Sequence, residues 1–247
     1  RFINKKCACV LITSDKCYDN KEWVWGYRET DKVGGPDPYS ASKGAAELAI
    51  NSYFKSFFSE PNSSIRISSA RAGNVIGGGD WSQDRIVPDC IRAWSNGNLV
   101  KLRSPNATRP WQHVLEPLSG YLLLGSKLYK QSELHGEAFN FGPSISANYS
   151  VLELVKKMSI YWDKVKWEDC SEQENSHQES ALLKLNCDKA LMLINWKSIL
   201  GFEDTIKYTI EWYMEFFKEK SNIPEISSLQ IEEYVSLAEK KQLEWTT

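Results

Sequence analysis

The chain has 247 residues and a formal net charge of −2, and 42% of its residues are hydrophobic and 25% charged. This composition is that of a globular protein with one large domain or two small ones, and the near-neutral charge argues against a nucleic-acid or membrane partner. No apolar run approaches the roughly 20 residues that span a bilayer. The six cysteines show no metal-ligand spacing, which predicts reduced, mostly buried thiols in a cytoplasmic protein without a metal.

The predicted elements alternate between strand and helix along the chain. Residues 7–14, CACVLITS, form a nearly continuous apolar run of the kind found in a buried parallel strand. The later predictions are, in order, a helix at about 37–58, a strand at 64–70, a Gly-rich loop at 73–81, a helix at 85–94, a strand at 99–103, a helix at 116–128, a strand at 138–141, and helices at 151–162, 188–194, 204–218 and 229–240. This alternation predicts an α/β fold with a mainly parallel sheet.

Three polar residues, Ser14, Asp15 and Lys16, follow the first strand directly. Ligands of open α/β sheets bind beyond the carboxyl ends of the strands, so this position suits a contact with substrate. The alternative is a simple turn in which the serine and the aspartate bond their own backbone.

Tyr39 and Lys43 are separated by four residues, which places both side chains on one face of a helix. A nearby ammonium favours the phenolate and brings a phenol towards the range of a general base. Asp37-Pro38 is a helix-start signal, and the positive end of the helix dipole also favours the phenolate. The alternative is an exposed tyrosine beside a solvated lysine.

Further candidates lie in loops. The glycines at 77–79 follow Asn74 and either approach a ligand closely or form a flexible turn. Three arginines have the side chain suited to bidentate phosphate binding, although each is also compatible with a solvated surface position: Arg85, Arg103 and Arg109. The three histidines lack metal spacing and a nucleophilic partner, so structural roles are predicted for His113, His135 and His177.

Together these residues resemble a known family. Ser14, Tyr39 and Lys43 resemble the catalytic set of the extended short-chain dehydrogenases/reductases. A finer pattern is similar to the nucleotide-sugar 4,6-dehydratases that act on CDP-glucose. It is carried by TSDKCYDN at 13–20, DPYSASK at 37–43, RAGNVIGGGDW at 71–81 and RPWQHV at 109–114. The resemblance extends over most of residues 7–212.

The resemblance implies the C-terminal part of a Rossmann-type parallel sheet plus a smaller α/β substrate-binding domain. Residues 1–75 would form a partial NAD-binding domain, with 110–143 returning to it, and 76–247 would mainly bind the sugar nucleotide. Two departures stand out. The family's GxxGxxG fingerprint is absent, which implies an N-terminally truncated chain, and Gln178 stands in a His-Gln-Glu segment where the family has Pro-His-Glu.

The activity implied by the resemblance is the NAD-dependent dehydration of CDP-D-glucose to CDP-4-dehydro-6-deoxy-D-glucose. Tyr39 would take the proton of the C4 hydroxyl, Lys43 would hold the nicotinamide ribose, and Ser14 would bond the C4 oxygen. Asp15 would protonate the departing C6 hydroxyl, and Lys16 would remove the C5 proton. The implied substrate-binding residues are Asn74, Arg85 and Arg109, with the arginines on the diphosphate.

The family context also implies a homodimer formed through the helix at about 37–58, and a role in making the deoxysugars of lipopolysaccharide O-antigen. Two other functions stay open. One is a dehydratase or epimerase for another nucleotide sugar, although the Asp15-Lys16 pair argues against a simple epimerase. The other is a non-catalytic fragment that binds a sugar nucleotide or a partner chain.

Overall fold

The computed structural model describes residues 5–60, 63–163, 165–171 and 182–246. The Gln178 segment and His177 lie outside these residues. The strands are β1 (Cys7–Ser14), β2 (Ile65–Ala72), β3 (Val75–Ile76), β4 (Val100–Leu102), β5 (Thr108–Arg109), β6 (Gln112–His113), β7 (Ala138–Phe141), β8 (Tyr149–Ser150) and β9 (Trp167–Asp169). The helices are α1 (Pro38–Tyr53), α2 (Ile86–Ser95), α3 (Leu115–Lys130), α4 (Val151–Met158), α5 (Asp188–Ile194), α6 (Phe202–Lys218) and α7 (Ile223–Lys240).

The main sheet has the order β1-β2-β7, and both pairings are parallel. Its register places Ser14 opposite Ala72 and Ala72 opposite Phe141, so the three strands end at the same edge. Parallel pairing requires a crossover between strands, and α1 and α3 supply the two crossovers. The predicted α/β class with a parallel, Rossmann-like sheet is therefore confirmed.

The strand β1 is less buried than its apolar sequence predicts. Most of its residues are half-buried, and Ile12 is 60% exposed. The reason is its place in the sheet, because β1 pairs only with β2 among the residues that the structure describes. The central strand β2 has neighbours on both sides, and its residues 67–72 are buried.

A second hydrophobic core lies apart from the sheet. It brings together residues of α2, α4 and α6 with the short strand β4, and Trp94 and Leu154 are fully buried within it. The core of the sheet is separate and contains Leu124, Phe139 and Trp196. The proposed boundary between a partial dinucleotide domain and a substrate domain, near residue 75, stays a prediction.

The helix α1 begins as predicted and changes form near its end. The Asp37 carboxylate accepts hydrogen bonds from the backbone N–H groups of Tyr39 and Ser40, which caps the helix start. The α-helical form ends at Tyr53, and a π-helical turn covers residues 54–58, the part that was predicted as regular helix. Helix α7 differs more, since it begins at Ile223 rather than at 229.

The strand predicted at 99–103 is observed as β4, whereas five other short strands were not predicted: β3, β5, β6, β8 and β9. Residues 73–81 were predicted to be a Gly-rich loop, yet they contain β3, which pairs with β6. Strands of two or three residues have no room for an alternating pattern, so tertiary pairing alone determines them.

All six cysteines are free thiols, but they are less buried than predicted, since three are buried and three are half-buried. No helix in the described part of the chain is long and apolar enough to cross a membrane. Within those same ranges, no cluster of histidine, cysteine, aspartate or glutamate side chains has the geometry of a metal site.

Candidate functional site

The first strand ends in a tight turn that presents polar groups at the edge of the sheet. A 3₁₀ turn, Asp15–Cys17, follows Ser14. The Ser14 Oγ accepts a hydrogen bond from the Lys16 backbone N–H at 3.2 Å and donates one to Asp15 Oδ1 at 3.0 Å. The simple turn that was the alternative interpretation of Ser14-Asp15-Lys16 is therefore present. Its hydrogen bonds fix the conformation of these side chains, which is compatible with a functional role.

Asp15 is the most enclosed polar group of this turn, with 1% of its surface exposed. Its Oδ2 lies 3.8 Å from the Lys16 Nζ and accepts a hydrogen bond from the Asn74 Nδ2 at 3.4 Å. Asn74 has a φ of 53°, a left-handed conformation that asparagine tolerates better than most residues. The carboxylate is therefore held between a cation and an amide.

Gly73 makes this enclosure possible. A Cβ atom at Gly73 would lie 2.0 Å from both the Cγ and the Oδ2 of Asp15. Only a residue without a side chain leaves room there, since this separation is far below a van der Waals contact.

Tyr39 and Lys43 lie on the first turns of α1, as the spacing predicts. The Lys43 Nζ is 5.5 Å from the centre of the Tyr39 ring. Tyr39 is 55% exposed, while Lys43 is half-buried. The phenol is therefore open to a ligand, with the ammonium over its ring.

One cleft of about 690 Å³ collects the predicted residues. Its volume falls in the range of small-molecule sites, which is roughly 300–1,000 Å³. All eight predicted site residues line it: Ser14, Asp15, Lys16, Tyr39, Lys43, Asn74, Arg85 and Arg109. Its apolar wall includes Trp111 and Tyr121. Five separate sequence segments thus meet in one concave surface.

Three arginines also line the cleft, and the part of the lining that they form is called the arginine wall: Arg85, Arg103 and Arg109. Arg85 precedes α2 and forms an ion pair with Asp80 at 3.1 Å. The Arg109 Nη1 donates to the Thr108 carbonyl oxygen at 2.8 Å. Arg103 follows β4 and also lines the cleft. Guanidinium groups at this wall give it the donor chemistry that a diphosphate requires.

The donors near the end of β1 suit one part of a nicotinamide dinucleotide. The Lys43 ammonium and the Tyr39 and Ser14 hydroxyls line the same cleft and match the hydroxyl groups of a ribose. The sequence holds no GxxGxxG segment, so no residue is assigned to the pyrophosphate of such a cofactor. The fit concerns the nicotinamide end.

Sequence reasoning missed Glu47, which lies one helical turn after Lys43 and is 6% exposed. A glutamate at this spacing on an amphipathic helix was a usable signal, because a buried carboxylate needs a partner. It also missed Gly73, for which the sequence carries no signal beyond the glycine itself.

The two histidines that the structure describes, His113 and His135, have environments that suit a structural role. His113 is buried, and burial lowers its pKa to about 4, so it stays neutral near pH 7. His135 accepts a hydrogen bond from the Ile67 backbone N–H at 3.0 Å and contacts the Phe58 carbonyl oxygen at 2.6 Å. Neither lines the cleft.

The comparisons with known proteins agree with this geometry. No protein-family model matches the chain. It is 43% identical to the CDP-glucose 4,6-dehydratase of Salmonella typhimurium over 233 residues, which are 93% of this chain and 64% of that protein. The chain is thus similar over nearly its whole length to a nucleotide-sugar dehydratase. It spans less than two thirds of the length of this relative.

A more distant relative and two solved structures are also similar to the chain. The human dTDP-D-glucose 4,6-dehydratase is 21% identical over 219 residues, which are 87% of this chain and 58% of that protein. The crystal structure of the Bacillus anthracis dTDP-glucose 4,6-dehydratase in complex with NAD superposes with a TM-score of 0.67 at 18% identity, over 85% of this chain and 62% of that one. The crystal structure of the UDP-glucose 4-epimerase of Stenotrophomonas maltophila superposes with a TM-score of 0.72 at 17% identity, over 86% of this chain and 65% of that one.

Proposed function

We propose that the protein catalyses the NAD-dependent dehydration of CDP-D-glucose to CDP-4-dehydro-6-deoxy-D-glucose. One observation carries the proposal: the cleft brings a Tyr39–Lys43 pair and an Asp15–Lys16 pair together. The first pair suits oxidation of an alcohol, and the second suits removal of water from the ketone that results. The 43% identity to a CDP-glucose 4,6-dehydratase supports the same assignment.

In the redox half, Tyr39 as phenolate takes the proton of the C4 hydroxyl. Lys43 holds the nicotinamide ribose and stabilises the phenolate charge, and Ser14 donates to or accepts from the C4 oxygen. Bound NAD would supply the hydride acceptor for the oxidation at C4 and the hydride donor for the reduction at C6. The exposure of the Tyr39 ring towards the cleft supports this role, because the phenol must reach the sugar directly.

In the elimination half, Lys16 removes the C5 proton, which the C4 ketone has made acidic, and Asp15 protonates the departing C6 oxygen. The 3.8 Å between the Lys16 Nζ and the Asp15 Oδ2 supports this division of work. One proton passed from the ammonium to the carboxylate produces a neutral amine and a carboxylic acid, and so prepares both groups. After the elimination the pair is again an ammonium and a carboxylate.

The proton count closes over the whole reaction. Lys16 returns its proton to C5 as the product forms, so Asp15 has given one proton to water and Tyr39 has gained one from the C4 hydroxyl. A single proton transfer from Tyr39 to the Asp15–Lys16 pair resets the site. Ser14 donates to Asp15 at 3.0 Å, which makes its hydroxyl a suitable path.

The substrate would lie along the arginine wall. Arg85 and Arg109 would bind the diphosphate, and Asn74 would contact the sugar from beside Asp15. The side chain of Arg85 is 61% exposed, so its guanidinium has free surface for an anion beside its ion pair with Asp80.

A direct assay tests the proposal. The purified protein is incubated with NAD and CDP-glucose, alkali is added, and the ultraviolet absorbance of 4-keto-6-deoxy sugars is recorded. We expect absorbance with CDP-glucose and little with dTDP-glucose or GDP-mannose. Absorbance with those sugars and none with CDP-glucose would refute the nucleotide assignment. A Tyr39→Phe variant serves as the control, since it keeps the ring and removes the proton acceptor.

We also propose a homodimer formed through α1. Leu48, Tyr53 and Phe57 lie on this helix or the turn that follows it, and they are 60%, 62% and 58% exposed. Burying such side chains favours association. Analytical ultracentrifugation of the protein and of a Tyr53→Glu variant tests this, with dissociation expected for the variant.

A further inference from the structure

A buried ion pair lies beneath the helix that carries Tyr39 and Lys43. The Arg71 Nη2 donates to the Glu47 Oε2 at 2.7 Å, and both side chains are 5% exposed. The Glu47 carboxylate also accepts hydrogen bonds from the Thr13 and Ser69 hydroxyls. Burial alone would raise the pKa of Glu47, but the Arg71 guanidinium and these hydroxyls lower it below its usual value, so the carboxylate is charged.

The other terminal nitrogen of the Arg71 guanidinium extends these contacts into a larger hydrogen-bond network. The Arg71 Nη1 donates to the Tyr18 hydroxyl at 2.8 Å and to the Glu29 carbonyl oxygen at 3.0 Å. Tyr18 in turn donates to the Asn140 Oδ1 at 2.8 Å. Arg71 thus contacts the segment after the 3₁₀ turn and, through Tyr18, the last strand of the sheet.

Four members of this network lie close in sequence to a residue of the site or of its support. Glu47 lies one turn after Lys43 on α1, Thr13 directly precedes Ser14, and Tyr18 follows the Asp15–Cys17 turn. Arg71 lies two residues before Gly73, which packs directly against the Asp15 carboxylate. The α1 helix, the end of β1 and the end of β2 are therefore joined at one buried ion pair, and these segments carry both halves of the proposed reaction.

We infer that the Glu47–Arg71 pair is a positioning device that fixes the Tyr39–Lys43 helix relative to the Ser14–Lys16 turn. The inference rests on the proposed function. Neither residue touches the reacting atoms, since Glu47 and Arg71 do not line the cleft. A shift of about 1 Å in a reacting group can cost on the order of 10²-fold in rate, so a rigid link between the two pairs has a direct use.

Stability alone is a weaker account of this pair. Burying two charges costs desolvation, and apolar residues of similar volume in their place are often as stable or more so. The same reasoning supplies a test. Removing one partner leaves an unpaired buried charge, which destabilises the fold, whereas removing both charges together does not.

The experiment compares the single variant Glu47→Gln with the double variant Glu47→Gln/Arg71→Met. We expect the single variant to lose both stability and activity. The double variant should recover most of the melting temperature, yet its kcat should stay on the order of 10²-fold low with KM changed less than about threefold. Wild-type kcat in the double variant would show a purely structural role and overturn the inference.

Glu116→Gln is the matched control. Glu116 is also a fully buried carboxylate, but its partners are Ile199, Leu200 and Tyr234, and it does not line the cleft. This variant should change stability without a selective loss of kcat.

Hydrogen–deuterium exchange separates failure of this inference from failure of the proposed function. The double variant should exchange faster at the amides of 38–48 and 13–18, with the α2, α4 and α6 core unchanged. This readout needs no substrate, so it holds even if the protein does not turn over CDP-glucose. Unchanged exchange in both segments would overturn the positioning role whatever the enzyme assay shows.

Discussion

Lys16 combines contact with a buried acid and access to the cleft. Its side chain is 32% exposed, while its partner Asp15 is almost fully enclosed at 2%. In the proposed mechanism, an amine in this position would reach the sugar from the cleft and exchange a proton with the carboxylate behind it. At the scale of single residues, this difference in exposure supports Lys16 as the base and Asp15 as its buried partner.

Replacing Lys16 by alanine tests the assignment of the base. We expect the overall kcat for dehydration to fall on the order of 10²- to 10⁴-fold, because a positioned general base contributes a factor of this size. Reduction of NAD in the first step should persist, since Tyr39 and Lys43 are unaffected. Single-turnover absorbance of NADH, measured beside product formation, separates the two steps. A Lys16→Ala protein that eliminates water at the full rate would contradict the assignment.

Gly73→Ala tests how tightly Asp15 is held. The added Cβ would lie 2.0 Å from the carboxylate, so Asp15 must move, and we expect kcat to fall on the order of 10²-fold although every proposed catalytic residue is present. Steady-state kinetics measure the loss.

Gly125→Ala is its control, because there the new Cβ meets only Val10 at 3.6 Å, an ordinary contact. Replacing glycine inside helix α3 should stabilise the fold by about 0.5–1 kcal/mol without changing kcat. Equal kinetics for the two glycine variants would show that Asp15 has room to move.

At the residue scale, the site was largely predictable because its chemistry lies in short sequence segments. Ser14-Asp15-Lys16 and Tyr39-Lys43 were recognisable by residue type and spacing, and the structure places them in one cleft. The support behind them was not predictable. Arg71 and Glu47 are 24 positions apart in sequence, and only the packing of α1 on β2 reveals that they meet.

Helix α1 is the element on which the proposed redox half depends. Its N-terminus is fixed by Asp37, whose carboxylate accepts the backbone N–H groups of Tyr39 at 2.9 Å and Ser40 at 3.0 Å. Hydrogen bonds from Ser40 and Tyr39 lower the pKa of Asp37, which shows that the cap prefers a charged carboxylate. The cap therefore orders the turn that presents Tyr39.

Asp37→Ala should loosen this turn. We expect a lower melting temperature and a kcat reduced severalfold, because the free N–H groups of the first turn lose their acceptor. Asp37→Asn keeps an acceptor oxygen and should behave much more like the wild type in both thermal unfolding and kinetics. If alanine and asparagine had the same effect, the charge rather than the cap would be responsible.

Elements of different length were predictable to different degrees. The strand at 138–141 and the helix at 188–194 were predicted with the bounds that the structure shows, since both carry clear signals at their ends. The helix predicted to 58 loses its α form after Tyr53, and Phe54 there packs edge-on against His135 at 4.8 Å. A contact with a distant residue of this kind leaves no pattern in the local sequence.

For the molecule as a whole, Glu116 links three parts of the fold. It lies on α3, accepts the backbone N–H groups of Ile199 and Leu200 before α6, and accepts the Tyr234 hydroxyl of α7. Burial raises its pKa to about 7 although these donors oppose the shift. Because the folded pKa exceeds the ordinary value of 4.5, the folded state retains a proton that the unfolded chain has released between these two pH values.

The free energy of unfolding should therefore decrease as pH rises from about 4.5 to about 7. The contribution of Glu116 to this decrease is on the order of 3 kcal/mol. Urea unfolding across this range, compared with Glu116→Gln, isolates the effect, since glutamine resembles the protonated acid and does not titrate. Burial of His113 acts in the opposite sense, but it is common to both proteins and cancels. Parallel pH curves for the two proteins would contradict the prediction.

Among the residues that the structure describes, β1 pairs only with β2, and this has a consequence for handling this chain. Its sequence, CACVLITS, has no charge and no proline, and Ile12 is 60% exposed. Strands with these properties are templates for unwanted pairing between molecules, which natural sheets resist by placing lysine or proline at the border. We therefore expect the Ile12→Lys variant to precipitate less than the wild type at high concentration. Light scattering of both proteins, measured as a function of concentration, tests this.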